Sequence, residues 1–392
     1  MQGLLAALAR SHEVSAVSLL TPDLDRGEVE RTMSAYCHDA VLVSAPSLEG
    51  RRKRMLQLRS LAGRRSFERR AYELPALRRA VQERLTRGCF DALLVAFPFL
   101  ASEAMTRTPA GAARPVRVLD EHNIEFDLAR QQAGGEHGML RRVHNAANWP
   151  KLQREEVEAW RRFDAVSFCS DADLARARTL VPGMRGEVVP NAVDVDEFRP
   201  RPTDPPSDGV TVLFFGAINY FPNVDGLRFF LGEVWPLLAR SHPRARLKIV
   251  GQAPTPEILA HQGPRIEVTG RVPDLRPHLS AAAVTIAPLR IGGGTRFKIL
   301  EAMAMGRPVV STTLGAEGLE AQSERHLVRA DTPAAFAAAV GQVLDDAALG
   351  ARLGAAGRAL VEERYSWQAA GARLEALLVS LVQPGSARAR VG

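Results

Sequence analysis

The stretch from Gly292 to Glu301 gathers the residue types most able to do chemistry in this chain. Three glycines, Gly292, Gly293 and Gly294, stand where a β-branched run gives way to a helical pattern. Thr295 follows, with a hydroxyl suited to capping a helix start. Arg296 and Lys298 then fall in the expected first turn, where the helix dipole disfavours each cation by roughly 0.3–1 kcal/mol. A helix built for stability alone would place Asp or Glu there. Exposed N–H groups, close backbone approach at glycine and two added cations agree with one another if an anion binds at the turn, and a diphosphate is the first candidate. Glu301 lies three residues after Lys298, so the two share a helix face. The alternative is a ligand-free glycine turn with Arg296 and Lys298 as a solvated pair.

Such a turn needs the carboxyl end of a parallel strand behind it. Short apolar runs alternate with helical stretches along the whole chain, as expected for strands buried on both faces of a parallel sheet. The first half offers strands at Val14–Leu20, Ala40–Ala45, Ala92–Phe97, Val116–Asp120, Ala165–Ser170 and Glu187–Pro190. Pro200-Arg-Pro-Thr-Asp-Pro-Pro-Ser-Asp-Gly209 then reads as a linker. Beyond it come strands at Val210–Gly216, Arg246–Val250, Ile266–Thr269, Val284–Pro288, Pro308–Ser311 and His326–Val328. Helices are expected at Val224–Arg240 and Leu275–Ala282, and a helical pattern fills Pro333 to Val382. The prediction is an α/β protein of two doubly wound, Rossmann-like domains. Residues 1–199 form the first domain, 200–209 the linker and 210–364 the second. Residues 365–392 form a helix and tail, with the helix packing back on the first domain. The pattern opens on a helix at Gly3–Arg10, so the first domain is expected to lack its opening strand and the loop after it. Coding sequence upstream in the same frame tests that expectation.

Length and composition agree with two soluble α/β domains: 392 residues, 46% hydrophobic and 24% charged. No apolar run reaches the 18 residues of a membrane span, and no signal-peptide pattern is present. Cys37, Cys89 and Cys169 show no metal-ligand spacing, which fits a reducing, cytoplasmic location. The net charge of +7 is concentrated. Residues 51–87 hold 13 Lys or Arg against 3 Asp or Glu, a local net of +10. With Leu56, Leu58, Leu61, Leu74, Leu77 and Val81 interleaved, this segment reads either as a helical surface for anionic membrane or as an ordinary Arg-rich helical face. Sparse aromatics and no recognised motif argue against nucleic acid.

Several further segments add to the glycine turn. They are Asp120-Glu-His-Asn-Ile-Glu125, Val189-Pro-Asn-Ala-Val-Asp194, Phe215-Gly-Ala-Ile-Asn-Tyr-Phe-Pro-Asn-Val-Asp-Gly226, Gly270-Arg-Val-Pro-Asp274 and Gly315-Ala-Glu-Gly-Leu319. Together they resemble the retaining glycosyltransferases of family 4, which have the GT-B fold of two Rossmann-like domains facing a central cleft. The likeness is closest to sugar transferases of bacterial exopolysaccharide systems.

The resemblance implies a role for each matching residue. Glu301 corresponds to the second glutamate of the family's paired motif, which binds the donor ribose. Gly293 stands where the first would be, so backbone N–H groups of Gly292 to Thr295 are expected to meet the donor sugar. The loop that starts at Gly216, where relatives carry Arg and Lys, has no cation, so Arg296 and Lys298 are expected to hold the diphosphate instead. His122 is placed over the donor sugar, with Asn123 and Glu125 beside it. Asn191 is the interdomain turn residue. The implied reaction is retaining transfer from a nucleoside-diphosphate sugar to a glycan or lipid-linked acceptor, with no cofactor and no metal. Asp171-Ala-Asp173 has metal-motif spacing but reads as a helix cap. A hinge at 200–209 would close to exclude water. The location implied is the cytoplasm or the inner face of the cell membrane. The alternatives are a sugar-nucleotide epimerase of the same fold, an inactive transferase, and a non-catalytic binder of nucleotide or anionic surfaces. A dehydrogenase is disfavoured, because no G-x-G-x-x-G follows an opening strand.

Overall fold

The structure, a computed structural model, describes residues 2–106, 113–134, 139–292 and 296–382. Contacts divide the chain into two compact units, Met1–Pro190 with Ala370–Gly392, and Asn191–Ala369. The first unit holds β1 (Ser15–Leu20), β2 (Asp39–Ser44), β3 (Ala92–Ala96), β4 (Val116–Glu121), β5 (Ala165–Phe168) and β6 (Gly186–Val188). They form two parallel sheets, β1-β2 and β3-β4-β5-β6. Among the described residues no strand joins β1 to β3, which is where the opening strand of a doubly wound domain would lie. The helix Pro75–Arg87 packs Leu77, Val81 and Leu85 into one apolar cluster with Val43 of β2 and Leu93 of β3. The helix Trp367–Leu381 belongs to this unit from Ala370 onward. Gly371 lets it pass so near the first helix, Gln2–Leu8, that an added Cβ would fall 2.6 Å from the Cβ of Ala7.

The second unit has one parallel sheet built from β7 (Thr211–Phe215), β8 (Arg246–Val250), β9 (Ile266–Gly270), β10 (Val284–Ala287), β11 (Val309–Ser311) and β12 (Val328–Arg329). Their order is β12-β11-β10-β7-β8-β9. The chain runs outward from β7 to β9, then restarts at β10 on the other side of β7. The order therefore reverses between β7 and β10, and a crevice opens beyond the carboxyl ends of these two strands. The alternating Cβ direction of a strand explains their unbroken apolar sequences. Val212 and Phe214 enter one core, with Val284 and Ile286. Leu213 and Phe215 enter the other, with Ala287. The unit's two ends lie side by side: Val193 bridges to Ser366, and its N–H donates to the Tyr365 carbonyl at 2.8 Å.

Two elements differ from the sequence expectation. The helix expected at Val224–Arg240 starts at Phe221 and contains a π turn over Phe230–Val234 before continuing as Trp235–Ser241. Pro236 has no N–H for the α ladder, and the Trp235 N–H reaches back to the Phe230 carbonyl. The Pro-rich stretch 200–209 lies within the second unit, and the units divide at Pro190–Asn191 instead. Local bonds fasten that stretch. Arg201 pairs with Asp204 at 3.0 Å, the Asp208 N–H donates to the Ala281 carbonyl at 3.0 Å, and the Asp208 carboxylate accepts the Thr211 N–H at 2.8 Å.

Candidate functional site

At the carboxyl end of β7 the chain turns at Gly216, whose φ of 137° is open to glycine and costly for other residues. The end of β8 presses on it. Gly251 has φ 156°, and a Cβ there would fall 1.7 Å from the Gly216 carbonyl oxygen. The Gly216 N–H donates to the Val250 carbonyl at 3.0 Å, which fixes the turn.

Lys298 reaches this turn from the helix Phe297–Ala304. It is buried, and its Nζ would lie 3.6 Å from a Cβ on Gly216. Nζ donates to Asn223 Oδ1 at 2.8 Å, and Asn223 Nδ2 donates to the Ala217 carbonyl at 2.8 Å. Asn223 thus ties the lysine to the loop. Nζ also stands 3.8 Å from the centre of the Phe214 ring, a cation–π contact. Burial lowers the Lys298 ammonium to about 7, Arg296 pushes the same way, and Glu301 opposes. Glu301, one helical turn on, is raised to about 7 by burial, with Lys298 opposing and Glu197 adding to the rise.

Arg296 is the N-cap residue, with extended backbone and no capping side-chain bond, and the helix begins at Phe297. This corrects the expectation that Arg296 lies within the first turn. Gly292 has φ 136°, and a Cβ there would meet the Arg296 guanidinium at 2.7 Å. Gly293, Gly294 and Thr295 lie outside the described residues. Loops after β7, β10 and β11 converge on the same end of the sheet. Gly226 lies against the Pro288 carbonyl, where a Cβ would fall at 2.8 Å. The Thr312 hydroxyl donates to the Leu289 carbonyl, and the Gly315 N–H donates to that hydroxyl at 2.8 Å.

His122 belongs to the first unit, just past β4. Its ring stacks on Phe97 at 4.6 Å, and its Nε2 lies 3.2 Å from Asp120 Oδ2. The Ser167 hydroxyl donates to Asp120 Oδ1 at 2.6 Å. Glu125 starts the next helix, Glu125–Gly134, and its carboxyl is raised to about 7 by burial first and by Glu68 second. Below these lie two fully buried carboxyls. Glu121 accepts the Trp160 indole N–H at 2.6 Å. Glu156 accepts the N–H groups of Glu125 and Phe126, each at 3.0 Å, and so caps that helix from a distance. Burial drives both well above the usual carboxylate range, and Glu156 adds to the rise of Glu121.

The structure brings Gly216 and Lys298 together, and Gly292 and Arg296. His122 sits in the other unit. Sequence reasoning missed Asn223, although it stands inside a quoted motif, and also missed Phe97 and Glu156, whose partners are remote along the chain. Asp171 and Asp173 start a helix capped by Ser170, whose hydroxyl accepts the Asp173 N–H at 3.1 Å. No group of three or more His, Cys, Asp or Glu among the described residues could hold a metal ion. Among the described residues no single helix is long and apolar enough to cross a membrane; one bent pair passes by composition, Pro333–Asp345 with Ala347–Arg364, and Phe336, Val340, Leu353 and Val361 bury it in the core.

Residues 209–346 match the family model described as "Glycosyl transferases group 1". The chain is 28% identical over 315 residues to the GDP-mannose-dependent alpha-(1-6)-phosphatidylinositol monomannoside mannosyltransferase of Mycolicibacterium smegmatis, covering 70% of this chain and 81% of that one. It is 30% identical over 225 residues to the phosphatidyl-myo-inositol mannosyltransferase of Mycobacterium leprae, covering 55% and 59%. Similar solved structures include sucrose-phosphate synthase from Thermosynechococcus elongatus, with TM-score 0.71, 18% identity and coverage of 96% and 91%. Anabaena HepE in complex with UDP gives TM-score 0.65 and 16% identity, with coverage of 97% and 96%. A group 1 glycosyltransferase signature therefore lies within the second unit, and the chain has the GT-B fold of solved structures that match nearly all of it.

Proposed function

We propose that this glycosyltransferase moves a sugar from a nucleoside-diphosphate sugar to an acceptor hydroxyl with retention, in exopolysaccharide or cell-envelope glycan synthesis. One observation carries the reading: a buried lysine ammonium held beside a glycine turn at the crevice where the strand order reverses. Taking Lys298 out of water is costly without a compensating charge, and a diphosphate at the Gly216 turn supplies one. Arg296 and the start of the Phe297 helix add positive potential on the same side. Glu301 is assigned to the ribose, because a carboxylate accepts two hydroxyl hydrogens.

In the reaction the bond from the anomeric carbon to the β-phosphate oxygen breaks, and a bond to the acceptor oxygen forms on the same face. The acceptor's proton passes to the departing phosphate, and nucleoside diphosphate leaves. Negative charge grows on the diphosphate in the transition state, where Lys298 and Arg296 lower the barrier. These two cations hold the diphosphate without a divalent ion. His122, beside Asp120, is assigned to a hydroxyl of the donor sugar.

The relatives' names direct the choice of donor and acceptor: two are mannosyltransferases of phosphatidylinositol lipids, one of them GDP-mannose-dependent. A solved neighbour holds UDP-glucose. A lipid-linked acceptor also suits the helix Gly50–Ala62, which exposes Met55, Leu58 and Leu61 beside Arg51, Arg52, Lys53, Arg54 and Arg59. We assign this face to an anionic membrane surface at the cytoplasmic side. The test is a screen of GDP-mannose, UDP-glucose and other sugar nucleotides with membrane extract. Transfer to a lipid-linked glycan is expected, and Lys298→Ala should lower kcat/KM at least about tenfold. Transfer undiminished in Lys298→Ala overturns the diphosphate assignment, and no transfer from any donor overturns the enzymatic reading.

A further inference from the structure

We infer that Phe97 is a positioning residue for His122, kept in a strained backbone conformation because only there does its ring support the imidazole. The inference rests on the reading of His122 as a donor-facing residue.

Phe97 is one of three non-glycine residues with positive φ among the described residues, at φ 71° and ψ 135°. A bulky side chain rarely adopts such a backbone. The next residue is Pro98, which narrows the choices of Phe97 further. The surroundings hold it there. Its N–H donates to the Asp120 carbonyl at 3.0 Å, extending the β3–β4 ladder by one residue, and its carbonyl accepts the Leu100 N–H at 3.2 Å. Glycine would fit this turn without strain. An aromatic residue at a glycine position calls for a reason outside the backbone.

The reason is the ring's neighbours. Phe97 stacks on His122 at 4.6 Å with 26° between planes, and on Phe99 at 5.2 Å with 11°. Phe99 stacks in turn on Tyr72 at 4.4 Å. Four rings thus run in series, from the end of the helix Phe67–Ala71 in the basic segment to His122. Asp120 approaches the imidazole from the side, at Nε2. The stack fixes the plane of the imidazole, and the carboxylate fixes its rotation within that plane. A catalytic group held in this way loses little freedom when the donor arrives, which is where positioning contributes to rate. Nothing in the first unit's core requires the arrangement, because Phe97 is only half-buried and lies outside the cluster around Leu119 and Phe168.

Phe97→Gly keeps the backbone path and removes the ring; Phe97→Tyr keeps a ring. In the full-length enzyme, Phe97→Gly should lower kcat about tenfold or more, with donor KM and melting temperature little changed, and Phe97→Tyr should restore kcat to within about threefold. The His122 ring-proton signals give a second readout independent of turnover. Ring-current shifts should be present in the wild type and in Phe97→Tyr, and absent in Phe97→Gly. Unaltered His122 signals in Phe97→Gly overturn the contact itself. Altered signals with unchanged kcat overturn its role in positioning. A fall in kcat matched by a lower melting temperature and no rescue by tyrosine assigns Phe97 to the fold alone and also overturns the proposal. Failure of the reading of His122 looks different: His122→Ala would then transfer sugar at the wild-type rate.

Discussion

Lys298 and Glu301 face each other across one helical turn, and both titrate near neutral pH, at about 7. For the lysine this is a depressed value, so it loses its proton as pH rises through about 7. On the proposed reading, a diphosphate binds the protonated form. Donor KM should therefore climb above pH 7, by up to about tenfold per pH unit, until the value of the bound complex is reached. Arginine does not deprotonate in this range, so Lys298→Arg should flatten the slope even if it raises KM throughout. Initial-rate profiles between pH 6 and 9 check this, and a wild-type KM independent of pH would count against the assignment. The two residues were legible in the sequence as chemically apt types on one helix face. The burial of Lys298 was not, since it depends on Asn223 and Phe214, 75 and 84 positions away along the chain.

At the scale of elements, the strands of the second unit were readable because both sheet faces are covered. A buried parallel strand such as Thr211–Phe215 is apolar at every position after Thr211, so no polar alternation confuses the period. The π turn at Phe230–Val234 was not readable, because Pro236 permits a break, a bulge or a kink and the packing selects among them. Where elements meet, single atoms decide. Gly251→Ala would drive a Cβ into the Gly216 carbonyl. It should destabilise the second unit by about 2–4 kcal/mol and abolish donor binding, read as a lower melting transition and as loss of nucleotide-induced stabilisation. The helix Gly50–Ala62 makes a separate prediction. With roughly 1 kcal/mol for each cation near an anionic surface, replacing Arg51, Arg52 and Arg54 with Gln should weaken binding to phosphatidylserine-containing vesicles roughly 100-fold. Vesicle sedimentation checks this, and equal binding of the variant and the wild type would assign the face to ordinary solvent exposure.

At the scale of the molecule, the chain leaves the first unit at Pro190 and returns to it at Ala370. The sequence expectation was a last helix, from residue 365, packing back on the first domain; the helix Trp367–Leu381 joins the first unit from Ala370. The sequence expectation put the boundary at the Pro-rich stretch 200–209 and the contacts put it at Pro190–Asn191, because proline content marks a stiff segment without saying which side holds it. The second unit is therefore one continuous piece, closed at its base by the Val193–Ser366 bridge. Residues 191–369 expressed alone should fold and bind nucleoside diphosphate with affinity near that of the full chain, as measured by calorimetry. A fragment that does not fold would show that it depends on the first unit. Because its two ends already touch, joining them to another scaffold costs little loop-closure entropy. The second unit, to which the donor site is assigned above, is thus geometrically an insert. A gene exchange confined to this stretch could give the cell a new sugar specificity while leaving the rest of the enzyme intact.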